Sequence, residues 1–302
     1  MPHGAWSDVE DGAVKAAPFE YVAPTTLDEA VSVLGERGDA AKILAGGQSL
    51  APLLVMRLAR PELLVDINGI AGLDGIRFED GMLRLGALVR QRTVEQDPVV
   101  REHFPLVTEA VATIGHVAIR NRGTVGGSLA HADPAAEWPA LLLALDGEVE
   151  VVGPQGSRSI GAADLFVTVM TTSLAPDEIV REVRLRLPDG AVGTAFVELA
   201  RRHGDFAIVG VAAVLGMEHG LVAHCRLALS GVGDTAVRAR AAEASFLGGG
   251  AGDEAIEAAA AAAASEIQPA GDIQGSADYR RKVAAVLVRR ALFAARQRVR
   301  AH

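Results

Sequence analysis

Apolar and polar positions divide the chain into short strands and helices whose order changes character near residue 190. Tyr21-Val22 reads as a short strand, and Leu27 onward as a helix over 27–36 that Thr25 or Thr26 caps and Gly38 ends. Lys42–Ala45 is a further strand, running into Gly46-Gly47. Leu53–Leu58 is apolar enough for core, and Pro61–Ile67 reads as a buried strand. Between Leu73 and Leu88 two short strands flank Glu79-Asp80-Gly81, a hairpin signal. Helices are expected over 90–97 and 99–113, with Ile114-Gly115 closing the second.

Beyond a second glycine-rich turn at 123–128, Pro134 is placed to open a helix with Ala135–Leu145 as its body. Gly147–Val152 and Arg158–Ile160 form a hairpin about Pro154-Gln155-Gly156. Charged and apolar residues alternate over Glu178–Leu187 as in a half-exposed strand, and Pro188-Asp189-Gly190 marks a domain boundary. The second domain opens with three strands near 194–200, 206–217 and 221–230, the last two joined at His219-Gly220. Helices follow near 236–247, 253–267 and 277–299; the alanine run 258–264 favours helix strongly. In the last of these, Val283, Val286, Leu287 and Phe293 fall toward one side, leaving cations for water or an acidic neighbour.

With 302 residues, half of them hydrophobic, the chain can bury a large core in two domains. No run reaches the ~18 apolar residues that span a bilayer, and residues 1–17 lack a basic start and apolar centre. A cytoplasmic protein with a loose tail at 1–17 is therefore expected, not one integral to a membrane. The single cysteine, Cys225, excludes an internal disulfide and any Cys-ligated iron–sulfur cluster of the chain's own. Residues 279–302 hold seven Arg and one Lys with no acid, so the net charge of −9 leaves −17 for the rest. An acidic body argues against nucleic acid as a partner.

Candidate chemistry concentrates in two stretches. In Ile43-Leu44-Ala45-Gly46-Gly47-Gln48-Ser49-Leu50, two residues without Cβ can take positive φ and aim successive N–H groups into one concavity. In Gly123-Thr124-Val125-Gly126-Gly127-Ser128, followed by His131 and Asp133, a second pair of glycines stands some 80 residues on. Both turns can converge on one diphosphate. Gly231-Val232-Gly233-Asp234-Thr235-Ala236 satisfies a dinucleotide fingerprint literally, but the parallel strands such a site needs do not follow it; a structural strand-to-helix turn is the better reading. His131 and Asp133 lack further metal ligands in view. Neither a P-loop triplet nor a serine nucleophile elbow occurs.

The AGGQSL segment at 45–50 and the TVGG segment at 124–127 with H-x-D-P at 131–134 together resemble the FAD-binding subunit or domain of the molybdenum hydroxylases. The layout is most similar to the medium subunit of aerobic carbon monoxide dehydrogenase, with xanthine dehydrogenase as a further member. The resemblance implies an α+β fold: a two-part FAD-binding domain of the vanillyl-alcohol-oxidase-like (PCMH) type at 18–190, then a smaller domain at 191–302 with a three-stranded antiparallel sheet and helices. It also implies FAD as the chain's own cofactor, wrapped at its diphosphate by both glycine segments. Asp133 and Glu137 stand at polar FAD-binding positions, Glu137 where relatives usually have Asp; Ile114 and Val180 stand at apolar ones. An ungapped match puts Val197 where xanthine dehydrogenase has a Lys near the flavin, and neighbouring Glu198 is no substitute. The segment Arg201-Arg202-His203-Gly204-Asp205-Phe206-Ala207 echoes another family stretch, and a solvated turn is the simpler reading.

The implied function is electron transfer. A small subunit with [2Fe–2S] clusters and a large subunit with a molybdenum cofactor, in an (αβγ)2 assembly, would feed electrons to FAD, which passes them to a quinone, oxygen or NAD. No catalytic set of the chain's own is expected. Two alternatives stay open: a self-contained FAD-dependent oxidase acting on a small alcohol, and an assembly subunit without cofactor.

Overall fold

A computed structural model describes residues 15–301. Most of the expected N-terminal tail, residues 1–14, lies outside the described residues.

The first part is a small parallel sheet. Strand β1 (Glu20–Val22) leads to helix α1 (Leu27–Arg37), whose N-cap Thr26 accepts a hydrogen bond from Glu29 N, and a 3-10 turn then delivers β2 (Ala41–Leu44). A short helix α2 (Leu50–Val55) returns the chain to β3 (Leu63–Asp66), which pairs in parallel between β1 and β2. Ala30, Leu34, Leu63, Val65 and Ile67 fill its core. The stretch Leu53–Leu58 departs from expectation: Leu54 is buried, whereas Val55, Met56 and Leu58 are exposed. Two helical turns can bury only one face, and Arg57 ends the helix with φ 56°.

The second part is an antiparallel sheet packed on helices. β4 (Ile76–Glu79) and β5 (Met82–Gly86) form the hairpin about Asp80-Gly81, both with positive φ as a tight turn requires. Helices α3 (Gln91–Gln96), α4 (Pro98–His103) and α5 (Pro105–Thr113) follow. The single helix expected over 99–113 is two, because Pro105 cannot donate within a helix and starts a new one instead. Then come α6 (Val117–Arg120), α7 (Val125–His131), α8 (Glu137–Ala144), the hairpin β6 (Glu148–Gly153) and β7 (Gly156–Gly161), α9 (Ala162–Leu165), a small ribbon β8 (Phe166–Thr168) and β9 (Thr171–Thr172), and β10 (Ile179–Arg186). The sheet order is β4-β5-β10-β6-β7.

The third part carries three long antiparallel strands, β11 (Ala191–Ala200), β12 (Ala207–Glu218) and β13 (Leu221–Ser230), with His219-Gly220 as the tight turn. Two short strands extend this sheet: β14 (Val237–Arg238) beside β13, and β15 (Arg300–Ala301) beside β11, giving five. Helices α10 (Arg240–Phe246), α11 (Asp253–Glu266) and α12 (Ala277–Gln297) cover one face. The stretch expected as helix from 236 thus begins as strand. In α12 the buried stripe is Ala284, Leu287, Val288, Ala291, Leu292 and Ala295, while Val286 and Phe293 face outward, against the expected grouping. Its cations do meet acids: Arg289 pairs with Glu257 at 3.1 Å and Arg296 with Asp253 at 2.8 Å, both on α11.

The two faces of this third sheet do different things. Val209, Val211, Ala213, Leu227 and Leu229 point toward α10–α12, whereas Ala212, Val214 and Ala228 point back into the core of the second part. Helix α8 lies in that seam, against β12 and β13, and all eight of its residues are buried. Among the described residues no helix is long and apolar enough to cross a membrane.

Candidate functional site

The first glycine segment leaves β2 at Leu44 and enters α2 at Leu50. Gly47 has φ 69°, a left-handed conformation open to glycine. Gln48 braces the turn, its Nε2 donating to Gly46 O at 3.0 Å, and Ala51 N donates to Gly47 O at 2.9 Å. The N–H groups of Gly46, Gly47, Gln48 and Ser49 donate to no described residue. These four consecutive donors, on buried Gly46 and half-buried Gly47, Gln48 and Ser49, are available to an anion.

The second segment is a helix rather than a turn. Thr124 is the N-cap of α7 and accepts from Gly127 N at 3.1 Å; Val125 N and Gly126 N donate to Val89 O and Ala87 O at 3.1 and 2.9 Å. The glycines are there for closeness: a Cβ on Gly126 would stand 2.6 Å from Ala87 Cβ, and one on Gly127 2.6 Å from Thr124 Oγ1. The amides of Val125, Gly126 and Gly127 therefore already have acceptors within the chain.

Distant in sequence, the two segments touch. A Cβ on Gly46 would overlap Arg122 O and stand 2.9 Å from Gly123 Cα, and one on Gly127 would be 3.7 Å from Ala45 Cβ. Arg90 staples them, donating through Nη1 to Arg122 O at 2.7 Å and through Nη2 to Asn68 Oδ1 at 2.6 Å; Asn68 Nδ2 in turn donates to Ala45 O at 2.9 Å. Asp66 orders Asn68 from below, accepting from its N at 2.9 Å and from Tyr21 Oη at 2.6 Å. Burial alone would raise the Asp66 carboxyl, but these bonds and the Arg90 charge hold it below the usual carboxylate range.

Two family models match the chain: "FAD binding domain in molybdopterin dehydrogenase" over residues 17–188 and "CO dehydrogenase flavoprotein C-terminal domain" over 194–295. The chain is 43% identical over 289 residues to the 6-hydroxypseudooxynicotine dehydrogenase complex subunit alpha of Paenarthrobacter nicotinovorans, covering 95% of this chain and 97% of that one. It is 40% identical over 277 residues to the carbon monoxide dehydrogenase medium chain of Hydrogenophaga pseudoflava, covering 92% and 96%. A solved carbon monoxide dehydrogenase from Hydrogenophaga pseudoflava superposes with a TM-score of 0.92 at 41% identity, covering 94% of this chain and 99% of that one. The chain belongs to the FAD-binding subunits of the molybdenum hydroxylases. It is an oxidoreductase subunit with FAD as its own cofactor.

Around the stapled loops of this flavoprotein subunit lie the other residues singled out in the sequence. Ile43, Leu44, Ala45 and Leu50 are half-buried beside the turn, with Ser128 half-buried on α7. Val180 is buried next to a β-bulge; its neighbour Arg181 accepts from Ala87 N at 3.0 Å, and Ala87 is the residue against Gly126. Ile114 is buried at the C-cap of α5. Asp133 shapes the α7–α8 connection, accepting from Ala135 N at 2.8 Å. Glu137 is set apart from these: it sits in the first turn of α8, in the seam.

Sequence matching missed one member of the seam. Val197 packs toward α10–α12, whereas Glu198, one residue on, faces the seam, where Thr113 Oγ1 donates to its Oε2 at 3.2 Å. The match at 197 followed residue order, and strand alternation reverses the face at each step. Burial pushes Glu198 up to about 7. Burial first, then repulsion from Glu198, pushes Glu137 up to about 8.

Gly231 starts no nucleotide-binding helix. It turns with φ 74° into β14, and Arg280 fills the space behind it, donating to Gly231 O at 3.0 Å and to Ile208 O. Arg201 to Phe206 form an exposed turn apart from half-buried Gly204. No group of metal-ligating side chains occurs among the described residues.

Proposed function

We propose that this chain is the FAD-carrying electron-transfer subunit of a three-subunit molybdenum hydroxylase. One observation carries the reading: a loop with four unspent amides, locked without a Cβ's clearance against the capped start of a second helix. Such a cradle suits a diphosphate, which needs dense donors and tolerates little bulk. In this reading Gly46, Gly47, Gln48 and Ser49 donate to the diphosphate, with Gly123, Thr124, Gly126, Gly127 and Ser128 forming the opposing wall. Ile43, Leu44, Ala45, Leu50, Ile114 and Val180 give apolar contact, Asp133 and Glu137 polar contact, and the units 18–190 and 191–302 grip the cofactor between them.

Bound FAD supplies the redox chemistry, accepting electrons one at a time from [2Fe–2S] clusters of a small partner and releasing pairs to an external acceptor. The chain's own residues bind, orient and shield it. A large partner with a molybdenum cofactor would oxidise the substrate, in an (αβγ)2 assembly in the cytoplasm. Relatives named for carbon monoxide, caffeine and nicotine support a substrate read outside this subunit.

Purification of the chain with its partners, followed by flavin spectra and metal analysis, tests this. The expected result is a yellow complex containing iron and molybdenum, with colour released by acid. Colour retained on acid-precipitated chain without metals would favour a self-contained oxidase. Metals and partners with no flavin would favour an assembly role.

A further inference from the structure

The turn that follows β3 joins a chemically labile pair of residues to the contact between the glycine segments. The chain holds two asparagines, Asn68 and Asn121, and only Asn68 precedes a glycine. Asn68 and Gly69 are both exposed, at the corner of a turn that Ile70 N closes on Ile67 O at 3.1 Å. Gly69 N donates to no described residue. Nothing in the fold demands a glycine there: its φ lies outside the left-handed range, and a Cβ would meet only Pro24 O, at 3.8 Å. What glycine leaves is an unshielded amide nitrogen next to the Asn68 side chain.

That side chain also ties the site together. Its Nδ2 donates to Ala45 O at 2.9 Å and to Asp66 Oδ1 at 2.6 Å, and its Oδ1 accepts from Arg90 Nη2 at 2.6 Å. Ala45 leads into the free amides of residues 46–49, and Arg90 holds Arg122 O on the opposing segment at 2.7 Å. Ala45 O and Asp66 Oδ1 are acceptors, so only a group with two N–H donors satisfies both, and a carboxylate has none.

We propose that Asn68-Gly69 is a deamidation site whose conversion loosens the two glycine segments and lowers the affinity for FAD. The inference rests on the FAD reading above. In the reaction Gly69 N gives its proton to solvent base and attacks Asn68 Cγ; the Cγ–Nδ2 bond breaks, ammonia leaves and a succinimide closes. Water then opens the ring at either carbonyl, leaving aspartate or isoaspartate at position 68. One water is consumed and one ammonia released, without oxidation or reduction. Aspartate sets a second carboxylate within hydrogen-bond distance of Asp66 and takes the donor away from Ala45 O. Isoaspartate, in addition, routes the backbone through the side chain and so distorts the turn between Ile67 and Ile70. Both place negative charge beside the residue that precedes Gly46, where the diphosphate is to be held.

The side chain must leave its three bonds before Cγ can meet Gly69 N, so the intact site brakes the reaction. FAD binds more weakly once those bonds are broken, and by linkage bound FAD therefore strengthens them. Conversion runs chiefly in the FAD-free chain and retires it.

The test holds the full chain, with and without saturating FAD, at pH 8 and 37 °C. Peptide mass spectrometry and an isoaspartate assay follow the conversion, and flavin fluorescence gives Kd for FAD. The expected result is conversion at Asn68 and not at Asn121, several-fold slower with FAD, with Kd about tenfold weaker in the converted chain. Asn68→Asp should show the weaker Kd at once; if it fails to fold, the aged wild-type chain decides. Gly69→Ala, whose methyl has room, should bind FAD as the wild type does and keep its Kd on ageing. A folded FAD-free chain that stays unconverted at Asn68 while a free peptide of residues 63–74 converts overturns the proposal, and so does a folded Asn68→Asp chain with wild-type Kd. A wild-type chain that binds no FAD before ageing sinks the flavoprotein reading and the proposal with it, whereas FAD binding without conversion or loss sinks the proposal alone.

Discussion

Replacing Gly46 with alanine probes the contact between the two glycine segments most directly. The new methyl would overlap Arg122 O and lie 2.9 Å from Gly123 Cα and 3.0 Å from Arg122 C, all backbone atoms that cannot swing aside. Relief requires the loops to separate by about 1 Å, and overpacking of that kind typically costs about 1–3 kcal/mol. If that cost falls on the conformation that binds FAD, affinity should drop roughly 5- to 150-fold. Flavin fluorescence on titrating the FAD-free chain measures the loss, with circular dichroism to confirm folding. Gly35→Ala is the control, because a Cβ there meets nothing within 4 Å inside α1, where alanine is the better helix former. Wild-type affinity in a folded Gly46→Ala chain would refute the idea that close apposition of these segments makes the site.

Gly47→Asp forces a side chain into φ 69°, a cost of about 1–2 kcal/mol, and sets a carboxylate beside the free amides; the purified chain should be colourless. Gly127→Asp crowds the Thr124 cap and should abolish FAD absorbance as well. Arg90→Met removes the staple to Arg122 O and Asn68 while keeping the stem; at this half-exposed site the loss is about 1 kcal/mol, or roughly fivefold in Kd by the same titration. Glu182 is buried against Arg184, Arg84 and Arg77; burial would raise its carboxyl, but these bonds outweigh it and hold it below the usual range. A depressed folded value means stability that is present above the ordinary carboxylate range and lost as pH falls through the folded one. Glu182→Gln should therefore be less stable at pH 7 and show a shallower decline in urea midpoint below about pH 4.5; an unchanged acid slope would count against the network.

The long strands, the tight turns at Asp80-Gly81 and His219-Gly220 and the capped helices were legible because each has a local cause: alternation, a φ that glycine tolerates, or a threonine cap. What the sequence left obscure is set by packing at a distance. Glycines 126 and 127 read as a turn, because nothing local reveals Ala87 and Thr124 pressing on them. The edge strand Arg300–Ala301 exists only because α12 returns the chain to β11. Glu198 was passed over because the match at Val197 followed residue order, although the alternation Thr194, Phe196, Glu198 already assigned it a face.

Helix α8 belongs to both halves at once. Leu141, Leu142 and Trp138 have no solvent side, so a fragment ending near residue 190 would bare a greasy ridge where β12 and β13 should lie. Neither half is a transplantable module: grafting one onto a foreign partner strips the shared keel of half its lining, and truncation at the boundary should yield aggregates instead of a smaller flavoprotein.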